Sequence, residues 1–400
     1  MAEDPASFEL LRADARAAAE RLAALIARAV SLDVQPPRLL AGAAWELWEF
    51  ARAPAKPKGA GLPWVGTFRP TTAEADMRRR EFLAGAAAAT GALATEALAG
   101  SQPVGPEAVR GAVEATDRLR GAVAVGAARD YLGPLLRHAQ AVRGLAVAAP
   151  TESLRRGLWT AYGESLTVLA WVAGDGRQST LAARYCQQAL DAAEQASDRD
   201  LGAYTQAILA LLTLHQRDDP YGALRLVGAG MDQARHAAPA TRAYLAAVAA
   251  EAQSIAGSRS RTLAALDRAE ALLEQADSGS TPTWLRQFAP SRLASYRGAC
   301  YVRIGRARQA KAVLEDALAE HAAGNDQVYP LADLAGAHAR LQEPEQACAA
   351  LGRAAGQVRG ARSAMRLERL YAARAHLDRW QGERFVRDLD EQLASTAATV

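Results

Sequence analysis

Trp171, His215, Gln253, Arg303 and Arg340 are the residues whose types and spacing suit chemistry, and that chemistry is recognition without covalent change. They fall at the ninth, twelfth and neighbouring positions of a recurring unit whose eighth residue is small or apolar. Arginines grip carboxylates and backbone carbonyls, and Trp171 offers an apolar anchor, so the set suits an extended peptide or protein segment. Taken singly, each also suits a solvated or packing residue on a helical array. Groupings for catalysis are missing. The six histidines, at 138, 215, 236, 321, 338 and 376, are scattered, with no His-Glu-x-x-His pair to hold a metal. There is no phosphate loop, no Gly-x-Gly-x-x-Gly after a strand and no Gly-x-Ser-x-Gly elbow. Neither an enzyme nor a cofactor is expected.

The elements that must position those five residues are helices in antiparallel pairs. In SRLASYRGACYVRIGRARQAKAVLEDALAEHAA, residues 291–323, Gly298 and Ala310 stand twelve apart across an Ile304-Gly305-Arg306 turn, followed by Leu314 and Ala317 at offsets of four and three. Small residues at the first two places let two helices cross closely. The same offsets recur at Ala170, Ala182, Cys186 and Ala189, and at Ala335, Ala347, Leu351 and Ala354. Weaker copies are read at Leu211, Ala223, Val227 and Gly230, and at Ala252, Ala264, Arg268 and Ala271. This is the tetratricopeptide (TPR) pattern with longer connections than the usual unit of about 34 residues. The expected fold is all-α: a TPR-like α-solenoid preceded by a small N-terminal helical region.

Composition agrees. Half of the 400 residues are hydrophobic, aromatics are only 6%, and alanine dominates, which favours helices over strands. Lys56, Lys58 and Lys311 are the only lysines among 47 basic residues, and the net charge is +3. Basic and acidic residues alternate, so no one-signed stripe for nucleic acid forms. Cys186, Cys300 and Cys348 sit singly in helical patterns and are expected to be reduced and buried. No apolar run reaches membrane-spanning length.

Three segments follow from the pass along the chain. Residues 1–53 read as an N-terminal helical hairpin, 54–76 as a proline- and glycine-rich connector, and 77–394 as the TPR-like repeat domain, with the last residues fraying. The hairpin lacks a glycine-containing turn and a polar second helix, so direct DNA binding through residues 8–52 stands as an alternative only. Arg79-Arg80-Glu81-Phe82-Leu83, the small residues after it and Ala97-Leu98-Ala99 carry a second alternative, a Tat-exported helical-repeat protein starting at Met77.

The Arg-Arg-x-Phe-Leu run, LAWVAGDGRQSTLAARYCQQALDAAEQASD, ALDRAEALLEQA, SYRGACYVRIGRARQAKAVLEDAL and LADLAGAHARLQEPEQACAALGRAA follow one another in this order. Together they resemble the TPR-like regulatory half of actinobacterial helix-turn-helix regulators, over about residues 77–394. The resemblance implies a cytoplasmic regulator of transcription or development, with this half sensing a peptide or holding a protein partner. The chain departs from those regulators in residues 1–76, where no clear helix-turn-helix is written. A homodimer is left open.

Overall fold

The computed structural model describes residues 104–277, 279–320 and 327–400. The chain divides between Thr71 and Thr72, and every described residue lies in the second unit, Thr72–Val400. The hairpin at 1–53, the connector at 54–76, the twin-arginine stretch and His321 lie outside the described residues.

Among those residues there are fourteen α-helices and no strand, as a TPR-like solenoid of helix pairs requires. A first hairpin, α1 (Pro106–Val125) and α2 (Leu132–Ala148), leads into the array. Five pairs follow: α3 (Glu152–Asp175) with α4 (Ser179–Ala196), α5 (Arg199–Arg217) with α6 (Pro220–Gln233), and α7 (Pro239–Ile255) with α8 (Arg259–Leu273). The fourth and fifth are α9 (Pro290–Arg303) with α10 (Ala307–Glu320), and α11 (Val328–Arg340) with α12 (Pro344–Ala361). The chain ends in α13 (Ala364–Arg374) and α14 (Arg384–Ala397). The first helix of each pair packs on the first helix of the next, so α3, α5, α7, α9, α11 and α13 form one continuous inner layer.

Local sequence starts these helices. Proline opens α1, α6, α7, α9 and α12, where its missing N–H costs nothing. Thr151, Asp198, Asp219 and Ser363 accept first-turn N–H groups of α3, α5, α6 and α13.

The small-residue offsets are the packing contacts. Ala182, Cys186, Ala189, Ala310, Leu314, Ala317, Ala347, Leu351 and Ala354 are all buried. A side-chain carbon added to Gly298 would lie 2.3 Å from Leu314 Cγ, so only glycine allows α9 to approach α10 this closely. One unit differs from the sequence reading. Ala264, Arg268 and Ala271 are exposed, and the buried set is Ala250, Thr262, Leu266 and Ala269. The twelve-four-three offsets hold, two residues earlier. The cause is that alanines on both faces of α7 and α8 made two registers look alike, while threonine at 262 hides the true one. Thr262 fits a buried place because its hydroxyl donates to the Ser258 carbonyl at 2.9 Å.

The turn between helices confirms the corrected register. Five residues before each buried anchor at 182, 223, 262, 310 and 347, the backbone is left-handed: Arg177, Asp218, Gly257, Gly305 and Gln342 all have positive φ. Only two of the five are glycine. An added carbon at Gly305 meets nothing, so Gly305→Ala tests the backbone strain alone. It should cost about 1 kcal/mol, and Gln342→Gly should gain about 0.5 kcal/mol after the entropy of the unfolded glycine is subtracted. Urea unfolding of both variants checks the pair; the same sign for both would contradict the assignment.

The C-terminus is better held than its small polar sequence suggests. Thr396 is fully buried, and Val400 packs against the hydrophobic cluster formed by α11 to α14.

Candidate functional site

Seven- and eleven-residue spacings return to the same face of a helix, because seven residues make just under two turns and eleven just over three. Tyr244 and Glu251 share a face of α7 in this way, as do Tyr296 and Arg303 on α9, Tyr204 and His215 on α5, and Tyr329 and Arg340 on α11. The inner layer is thereby divided along its helix axes. The N-terminal ends of α5 to α11 present tyrosines, and the C-terminal ends present ionisable groups.

The tyrosines form one wall. Tyr244 lies 5.6 Å from Tyr204, 5.1 Å from Phe288 and 6.4 Å from Tyr296, ring centre to ring centre, and Trp284 lies 6.0 Å from Tyr204. These distances suit tilted and edge-to-face aromatic contacts. Burial pushes the hydroxyls of Tyr204, Tyr244 and Tyr296 well above the usual phenol range, so the wall stays uncharged. Trp284 and Phe288 come from the long connection before α9. That insertion, which sets Ala310 48 residues after Thr262, folds through a 3-10 turn at Thr283–Leu285 back onto the inner layer.

The wall borders a cavity of about 320 Å³. Trp171 lines it, alongside Tyr204, Tyr244, Trp284, Phe288 and Tyr296. The other side is closed by the far end of the chain. Ser363 and the backbone N–H of Met365, at the start of α13, bind the carboxylate of Asp175 at the end of α3. Arg366 donates to the Ala124 carbonyl of α1 at 3.0 Å, and Arg177 pairs with Glu368. Burial pushes the Asp175 carboxyl up, against the pull of Ser363 and Arg366.

The charged half is a chain of partners running across the inner helices. Glu251 is 7% exposed; Arg303 Nη2 donates to its Oε1 at 3.2 Å, and His215 Nε2 stands 3.6 Å from the same atom, within ion-pair range. Burial alone would raise the Glu251 carboxyl, yet His215, Arg303 and Arg369 hold it well below the ordinary carboxylate range. For Arg303, burial works against the charge and Glu251 and Asp333 overcome it. Asp333 on α11 in turn pairs with Arg369 on α13.

The five residues named from sequence thus fall into different surroundings. Trp171 lines the cavity. His215 and Arg303 both turn to Glu251, Gln253 is half-buried, and Arg340 is exposed beside His376. The sequence reading passed over Tyr204, Tyr244, Trp284, Phe288 and Tyr296. The signal that marks them is the tyrosine set seven or eleven residues before an ionisable one on four successive inner helices, together with the aromatic insertion before α9.

The described residues bring no three potential metal ligands together, and no described helix is long and apolar enough to cross a membrane. Cys186, Cys300 and Cys348 are free and buried, and burial pushes their thiols up, Cys186 and Cys300 to about 12 and Cys348 to about 11.

The offsets, the left-handed turns and the inner layer decide the architecture. The array is TPR-like. No protein-family model matches the chain, and comparison with curated proteins returns no match. Among solved structures, the TPR domain of P58(IPK) is similar at 14% identity, over 91% of this chain and 99% of that one, with a TM-score of 0.23. The TPR-like assignment rests on the helix pairs themselves.

Proposed function

We propose that this chain is a non-enzymatic regulatory or adaptor protein, and that the inner layer of its array receives a peptide or a segment of a protein partner. The observation that carries this reading is the division of the inner layer into an aromatic half and a charged half on the same helix faces. A chain segment laid across them would bury apolar side chains over Trp171 and Tyr244 and set polar groups toward Arg340. The resemblance of 77–394 to the TPR-like half of helix-turn-helix regulators supports a role in transcriptional or developmental control, with the partner and not this chain reading DNA, and a cytoplasmic location.

Selection of random peptides against the full chain tests the reading. Enriched peptides should bind Trp171→Ala about tenfold or more weakly, since an anchor lost from a buried pocket costs at least about 1.4 kcal/mol. They should bind Tyr221→Ser unchanged, because Tyr221 is 65% exposed and lies outside the inner layer. Peptides that bind all three proteins equally would reject the inner face as the site.

A further inference from the structure

The cavity behind the aromatic wall is informative in how its charges are spent. The side chains lining it that carry charge at neutral pH are Arg120, Asp175, Arg292 and Arg366, and each is already engaged within the protein. Arg120 pairs with Glu164, which is 1% exposed, and with Asp117 at 3.0 Å. Asp175 accepts from Ser363, and Arg366 donates to the Ala124 carbonyl at 3.0 Å. Arg292 also interacts with other groups of the chain, and it acts on the hydroxyls of Tyr244 and Tyr296 against the effect of their burial. An incoming charge would therefore find no counterion waiting. It would have to shed its hydration, or draw a partner away from a group already held, and a neutral group faces neither penalty.

What the lining lacks is an acceptor. The indole Nε1 of Trp284 is buried and has no hydrogen-bond partner among the described residues, although such a donor is ordinarily satisfied. The rest of the wall is aromatic, with rings from Trp171, Tyr204, Tyr244, Phe288 and Tyr296. Those of Tyr204, Tyr244, Phe288 and Tyr296 already meet at a tilt or edge to face, and one more ring can join them by the same contacts. A volume of about 320 Å³ is at the small end of ligand sites, room for one aromatic residue or a molecule of that size.

We propose that the cavity binds an uncharged aryl group with a carbonyl a few bonds away, its ring against Tyr204, Tyr244 and Phe288 and its carbonyl oxygen accepting from Trp284 Nε1. That chemistry is offered by an aromatic residue inside a peptide, whose backbone supplies the carbonyl, and by a free aryl amide or ketone. The inference rests on the inner-face reading for its location, and adds that what is anchored there is aromatic and carries no charge.

Titration of the full chain by calorimetry tests it and separates the sources. The free probes are 4-phenylbutanamide, 4-phenylbutyrate and 4-phenylbutylamine, which are neutral, anionic and cationic on one phenylbutyl skeleton. The peptide probes are a pentapeptide acetylated and amidated at its ends with phenylalanine at the centre, and the same peptide with alanine there. The amide, the phenylalanine peptide or both should bind about tenfold or more tightly than either ion and than the alanine peptide, with an affinity that salt leaves unchanged. Trp284→Phe keeps a ring and removes the donor, so it should weaken the neutral ligand about threefold to tenfold. Binding of the amide but not of the phenylalanine peptide would support the inference with a free molecule as ligand, and would count against a peptide as the partner. Binding of the phenylalanine peptide alone would support it with a chain segment as ligand. An ion that binds as tightly as the neutral probes would overturn the inference, as would failure of every probe at millimolar concentration with unchanged circular dichroism. Peptides selected from a random pool that lack an aromatic residue, yet weaken with Trp171→Ala, would overturn it while leaving the inner-face reading in place. The comparison of charges is made on the unaltered protein, so it stands even where Trp284→Phe does not fold.

Discussion

Glu251→Ala is expected to destabilise the protein by about 3–5 kcal/mol, because it strands a buried guanidinium. Arg303 has only 18% of its side chain exposed, and Glu251 has 10%. Removing the carboxylate leaves Arg303 to Asp333, which Arg369 already holds. Arg303→Glu should be worse still, since three carboxylates, at 251, 303 and 333, would then face one another. The double variant Glu251→Leu with Arg303→Met removes both charges together and should recover most of the loss. Urea unfolding of the two singles and the double decides the matter; singles within 1 kcal/mol of the parent would show that solvent screens the pair. The sign with pH follows from Glu251 lying below its unfolded value. The stabilisation is fully present above the unfolded carboxylate pKa of 4.5 and is lost as pH falls through the lower folded value.

The second large effect is an acid sensitivity centred on His138. Burial, with Arg118 nearby, lowers the imidazole from 6.5 to about 4. Its Nε2 lies 2.8 Å from Thr116 Oγ1, whose own proton is given to the Ala112 carbonyl at 2.9 Å. With that proton so placed, Thr116 Oγ1 can accept from an Nε2–H, and it is burial, with Arg118, that disfavours the charged ring. Because the folded pKa is depressed, the unfolded chain takes up the proton first. Stability is undiminished above about pH 6.5 and falls as pH drops toward 4, by an amount on the order of 3 kcal/mol in total. Unfolding at pH 7 and pH 4.5 should show this loss in the parent and a smaller one in His138→Gln. Equal losses in the two proteins would place the acid sensitivity elsewhere.

These two residues also show what the sequence could and could not convey. The fold was legible because close helix crossings demand small residues at fixed offsets, and Gly298, Ala310, Leu314 and Ala317 obey that demand without regard to what lies outside the pair. Where alanine fills both faces of a helix, as around Ala252 and Ala264, the offsets lose contrast and the register slips by two. The site was less legible because its parts come from six inner helices and one insertion. Arg303 reads from sequence as a guanidinium offered to a partner, and only the placement of α7 beside α9 shows that Glu251 already holds it. Trp284 and Phe288 reads as loop residues until the connection before α9 is seen to fold inward. No spacing within one repeat reveals that Ser363 will reach Asp175.

That last contact changes what kind of object the array is. Repeats that touch only their neighbours can be added, deleted or frayed one at a time. Joining Asp175 to Ser363 links residues 188 apart in sequence, a contact whose geometry is set by the stacking of all the pairs between them and not by neighbouring repeats alone. The junction is thus a parity check on the whole stack. Helices pack 8–10 Å apart, so the loss or gain of a single pair would carry Ser363 clear of its carboxylate. An open solenoid can evolve by duplicating a unit; this one has a fixed count.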